Sequence, residues 1–138
     1  MRLPVAVPSI EGAPTIQRHF RGGCTVTILD PKAAYVTLIN TFTVDPSRAD
    51  ELFELLEKAT AERMRDLPGF ISANLHISLD RRRVANYAQW RSREDFDAMQ
   101  RDAEAQVHMR EAARIAESFD PVLYELRYVD ASSTNDTP

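Results

Sequence analysis

Cysteine is almost missing from this chain. Cys24 stands alone, so no disulfide can form within it, and a reducing compartment, the cytoplasm, is expected. A thiol with no evident base beside it is a poor nucleophile, which removes Cys24 from the catalytic candidates. Long apolar runs are missing as well: nothing approaches the roughly 20 residues of a membrane span. The start, Met1 to Pro8, is interrupted by Pro4 and Pro8 and lacks the apolar centre of a secretory signal. There is no excess of positive charge. A net charge of −4 gives no footprint for nucleic acid, and the only basic run, Arg81 to Arg83, sits where a hairpin turn is expected. His19, His76 and His108 are the only histidines, no two at i, i+4, and no cysteine pair accompanies them, so no metal site is predicted.

What remains is ordinary for a single globular domain of 138 residues, with 43% hydrophobic and 28% charged residues. Prolines 4, 8, 14 and 31 and glycines 12, 22 and 23 crowd the first part of the chain. Residues 1–34 therefore read as an irregular N-terminal arm, with one short strand at Cys24–Leu29. Residues 130–138 read as a polar, disordered tail, leaving 35–129 as the folded domain.

Within 35–129 the apolar pattern changes period in a definite order. Tyr35 to Thr43 is rich in β-branched and aromatic residues and reads as a strand. Asp45-Pro46 opens a helix whose stripe is Leu52, Phe53, Leu55, Leu56 and Ala59, and Leu67-Pro68-Gly69 closes it. Phe70 to Ser78 and Val84 to Trp90 read as two further strands. Ser92, with Asp95 three residues on, caps a helical region carrying Phe96, Met99, Val107, Met109, Ala112, Ala113 and Ala116, either one long helix or two short ones packing on the sheet. Pro121 resets the chain, and Val122 to Val129 reads as the last strand. The order is β-α-β-β-α-β, an α+β ferredoxin-like antiparallel sheet with its helices on one face. The other face then needs cover, and a second copy of the chain is the simplest one, giving a homodimer in which two sheets pack into an α+β barrel.

Two strands carry a polar residue where alternation calls for an apolar one. Val84, Asn86, Ala88 and Trp90 share one face of the third strand; Val36, Leu38, Asn40 and Phe42 share one face of the first. A buried amide costs about 1–3 kcal/mol unless it is bonded, so the two interruptions mark either a polar spot in an apolar small-molecule pocket or amides bonded to neighbouring backbone. Trp90, the only tryptophan, is either a pocket wall or a core plug with its N–H bonded locally. Tyr87 points the other way, towards the expected dimer core. Asn74 and His76 share a face that alternation does not assign.

The run Asn86-Tyr87-Ala88-Gln89-Trp90-Arg91-Ser92, with Leu38-Ile39-Asn40 and Leu67-Pro68-Gly69-Phe70-Ile71-Ser72-Ala73, resembles the antibiotic biosynthesis monooxygenase domain family over about residues 35–129. The resemblance implies the dimeric ferredoxin-like barrel. It also implies oxidation of an anthrone, phenol or quinone-like aromatic by O₂, with no cofactor. In such relatives the substrate carbon is deprotonated to an electron-rich enolate, which itself reduces O₂. The resemblance assigns Asn86, Trp90 and Asn40 to catalysis and Phe96, Arg110 and His108 to the substrate pocket. Phe96 stands where the anthrone-oxidising pattern has tyrosine. Arg110 also admits a surface ion pair with Glu94 or Glu104. Two alternatives stay open: a non-catalytic dimeric module that binds an aromatic metabolite, and a haem-degrading enzyme using Asn40 and His108. For the latter, Ala98 stands where that pattern has tryptophan.

Overall fold

The computed structural model describes residues 25–133. Ala34–Glu125 form one compact unit, and residues 25–33 and 126–133 belong to another. In the second unit, a 3₁₀ turn at Pro31–Ala33 is tied by Asp30 Oδ1, which accepts the Lys32 N–H at 2.9 Å. The strand expected at Cys24–Leu29 does not form over 25–29, and Cys24 itself lies outside the described residues, as does the arm before it. The expected tail is described only to residue 133.

The compact unit runs β1 (Val36–Thr43), α1 (Ala49–Glu62), β2 (Phe70–Ile77), β3 (Arg83–Trp90), α2 (Arg93–Gln100), α3 (Ala103–Ile115) and β4 (Ser118–Glu125). The four strands form one antiparallel sheet in the order β2-β3-β1-β4. This is the ferredoxin-like arrangement the pattern predicts, with the second helical region divided in two. Asp102 makes the division. Its carboxylate accepts the Ala105 N–H at 2.9 Å as the cap of α3, and it also accepts Arg63 Nε at 2.9 Å and Nη2 at 2.5 Å. Those bonds, Arg63's first among them, hold its carboxyl down to about 2. Ser92 caps α2 by accepting the Asp95 N–H at 3.1 Å. The Asp95 carboxylate does not close the expected capping box; it accepts Arg91 and the Ser92 hydroxyl instead.

The last strand starts earlier than predicted. β4 begins at Ser118 and contains Pro121 rather than following it, and 126–129 are not strand. β4 is an edge strand, the place in a sheet where a proline is tolerated. Its Pro121 stands opposite Asn40.

Leu38, Ala88 and Trp90 on the sheet pack with Phe96 and Met99 of α2 and Ala105 of α3 in one buried cluster. Phe42 and Val84 pack with Val44, with Ala49 and Leu52 of α1, and with Ala112 of α3 in a second. Both helical layers therefore lie on the face carrying Leu38, Asn40 and Phe42. Tyr87 and Gln89 occupy the opposite face with Ser72, Asn74 and His76, which assigns the pair the sequence left open. There the Ser72 hydroxyl donates to Gln89 Oε1 at 2.7 Å, and Asn74 Nδ2 donates to the Tyr87 carbonyl at 2.9 Å.

Candidate active site

The register of β1 against β3 sets Leu38 opposite Ala88, Asn40 opposite Asn86 and Phe42 opposite Val84. The first pair belongs to one apolar cluster and the third to the other. The asparagine pair is thus a polar layer between two apolar ones. Directly paired residues have Cα atoms about 4.5–5.5 Å apart, so the two amides stand side by side.

The same interruption occurs on α3. Ala105 belongs to the first cluster and Ala112 to the second. Residues 105, 108, 109 and 112 share one helical face by the i, i+3, i+4 rule. His108 is therefore the polar residue of α3 that falls between the two clusters, at the level of Asn40 and Asn86.

Four side-chain atoms among the described residues are buried without a hydrogen-bond partner: Asn40 Oδ1, Asn86 Oδ1, Trp90 Nε1 and His108 Nδ1. Each such atom costs about 1–3 kcal/mol, and native interiors hold few of them. All four belong to residues on the helix-covered side of the sheet. Neither amide oxygen is bonded to neighbouring backbone and the indole N–H is not bonded locally, although the Trp90 ring itself fills the core. Trp90 is only 2% exposed. Its ring meets Phe70 edge-on at 5.6 Å and Phe96 at 6.3 Å, fixing the direction of the N–H. Trp90 lies four residues from Asn86 along β3, about 13 Å by the rise of a strand. That separation suits the two ends of a flat polycycle.

The remaining candidates divide. Phe96 is buried against Trp90 and helps wall the first cluster. Arg110 is not brought to this layer: it is exposed and lies on the side of α3 away from Ala105 and Ala112. Nor does it make the expected ion pair among the described residues, Glu104 being engaged with Arg63 at 3.5 Å. An open cleft of about 480 Å³ between α1 and α3 is lined by Arg48, Glu51, Lys58, Glu111 and Arg114. Charged side chains dominate it, with Leu55 and Ile115 beside them, and it contains none of the four orphaned atoms. Among the described residues no group of three or more His, Cys, Asp or Glu is placed to hold a metal ion. Nor is any helix there long and apolar enough to cross a membrane.

The three best inward candidates, Asn40, Asn86 and Trp90, were visible from strand alternation. Their pairing across the sheet was not, because α1 and β2 stand between β1 and β3 and no turn of fixed length sets that register. The layered position of His108 had a local signal in the spacing Ala105, His108, Met109, Ala112.

A family model described as antibiotic biosynthesis monooxygenase matches residues 35–111, from just before β1 to late in α3. Tetracenomycin-F1 monooxygenase of Streptomyces glaucescens is 44% identical over 80 residues, which cover 58% of this chain and 71% of that one. The solved structure of a monooxygenase from the gene ActVA-Orf6 of Streptomyces coelicolor, in complex with nanaomycin D, is 32% identical. It superposes with a TM-score of 0.62 over 75% of this chain and 96% of the other. SnoaB of Streptomyces nogalater shares the fold at 20% identity, with a TM-score of 0.57 over 70% of this chain and 96% of that one. With the family pattern spanning more than half its length and the fold agreeing with its members, this chain belongs to the antibiotic biosynthesis monooxygenase family.

Proposed function

We propose that this protein is a cofactor-independent monooxygenase that oxidises a small anthrone, phenol or quinone-like aromatic with O₂, and that it works as a homodimer. The observation that carries the reading is the set of four orphaned polar atoms on the helix side of an otherwise apolar core. An amide offers an acceptor and two donors on one flat group. Asn40 and Asn86 can accept a phenolic hydroxyl in the bound substrate and donate to the enolate oxygen once a proton has left. Trp90 donates its indole N–H to an oxygen at the other end of the polycycle, and Phe96 walls that end. Preformed donors in a site without bulk water stabilise developing negative charge far better than water does. Similarity to tetracenomycin-F1 monooxygenase and to the structure solved with nanaomycin D supports a substrate of this kind.

The test is oxygen uptake by purified, metal-free protein with dithranol, compared with Asn86→Ala. Uptake above the spontaneous rate that is lost in the variant supports the reading. Tight binding of the anthrone without uptake would instead make the protein a binding module.

A second reading rests on His108 and Asn40 sharing one layer. That is the pair a haem-degrading relative would use, and a Soret shift on adding haem, followed by loss of the band under reductant, would favour it.

A further inference from the structure

We propose that His108 is the proton acceptor of this site, an inference that rests on the oxygenase reading and gives its first chemical step an owner. A buried imidazole normally bonds through both nitrogens or leaves one in water. Here Nδ1 is buried and unpartnered, although the residue as a whole is only half-buried. On α3 it falls between Ala105 and Ala112, which belong to the two apolar clusters that flank the Asn40–Asn86 pair along the sheet. The orphaned amide oxygens have no proton-accepting strength, and an indole N–H is a donor only. Among the four orphaned atoms, Nδ1 is the one that can take a proton, in the tautomer that carries hydrogen on Nε2.

The step balances without any further reagent. The C–H bond of the anthrone methylene breaks, its proton passes to His108 Nδ1, and the electron pair moves onto the carbonyl oxygen as an enolate bonded by the asparagine amides. The enolate gives one electron to O₂, and the resulting radical and superoxide join at the same carbon. The imidazolium returns its proton to the peroxide anion. Neutral His108 then takes the second methylene proton as the O–O bond breaks, and that proton leaves with the hydroxide as water. One O₂ yields one carbonyl and one water.

The experiment uses the full-length chain, dithranol, and dithranol deuterated at its methylene. His108→Ala is expected to lower oxygen uptake by about 10²-fold, the usual scale of positioned acid–base catalysis. Added imidazole should restore part of that rate while leaving the wild-type rate unchanged. The deuterium isotope effect should be larger in the variant, because C–H cleavage then limits turnover. His108→Gln, which keeps the bulk and polarity of the side chain, should be as slow as the alanine variant and as well folded as wild type. A His108→Ala protein with wild-type uptake, beside an inactive Asn86→Ala, overturns the inference and leaves the oxygenase reading standing. Loss of uptake with neither imidazole rescue nor a changed isotope effect assigns His108 a purely structural part and overturns it too. No uptake by wild type removes both.

Discussion

An acceptor that nothing bonds contributes no stability, so removing it should cost the fold little while costing the chemistry much. Asn86→Ala takes away an orphaned oxygen between Ala88 and Val84. Its unfolding free energy should fall by less than about 1 kcal/mol, or rise, since the desolvation penalty of the amide goes with it. Uptake of oxygen with dithranol should fall far more steeply. A large drop in melting temperature with normal specific activity would show instead that the amide holds the sheet together. Trp90 is the contrasting case, because its ring joins Phe70 and Phe96 in the core. Trp90→Phe keeps most of that aromatic contact and loses the N–H, so the variant should fold and turn over slowly. Circular dichroism beside oxygen uptake separates the two effects, and unchanged rates would take the indole out of the mechanism.

At the level of elements, the turn before β2 and the cap of α3 are the two places where one residue sets the course of the chain. Gly69 has φ +85, and a Cβ placed on it would lie 2.3 Å from Asp95 Cγ at the start of α2. Its carbonyl also accepts the Arg91 N–H at 2.7 Å. Gly69→Ala should lose at least the ~1–2 kcal/mol of a left-handed conformation, with the collision added, and a urea melt would read it. Asp102 makes a prediction in pH. Its carboxyl is lowered from 3.8 to about 2, chiefly by the Arg63 bond. Above 3.8 both folded and unfolded chains hold it ionised, and its stabilisation is fully present. As pH falls from 3.8 towards 2 the unfolded chain protonates first, and the stabilisation drains away. The melting-temperature gap between wild type and Asp102→Asn should therefore be widest above pH 4 and close near pH 2. A gap independent of pH would mean that capping geometry alone matters. These elements also show what sequence could and could not convey. β1, β2, β3, α1 and the Ser92 start of α2 followed from periodicity and caps. Periodicity left open whether one long helix or two short ones follow Ser92, because the apolar spacing runs on through Asp102, which caps the second. Arg110 was given a pocket place by the family resemblance and not by periodicity, and in the single chain it is exposed on α3. Early pairing of β4 was hidden by Pro121, which forbids a central strand but not an edge one.

For the whole molecule, the helix-free face of the sheet carries Ile39, Tyr87, Val122 and Tyr124, and Val122 and Tyr124 are 36% and 48% exposed. The proposed homodimer would cover that face. Val122→Arg should then shift sedimentation from dimer towards monomer and make the melting temperature of the wild type, but not of the variant, rise with protein concentration. A wild-type chain that sediments as a monomer at every concentration would end the proposal. Proline in β4 bears on the manner of any such association. A sheet grows sideways only where an outer strand offers an unbroken row of backbone donors and acceptors. One outer strand, β4, carries Pro121, which has no N–H; the other, β2, is broken by the bulge between Phe70 and Ser72. Neither border is a good template for another strand. Open-ended ribbons of this chain are thereby disfavoured, and the proposed face-to-face homodimer would be an association that stops at two.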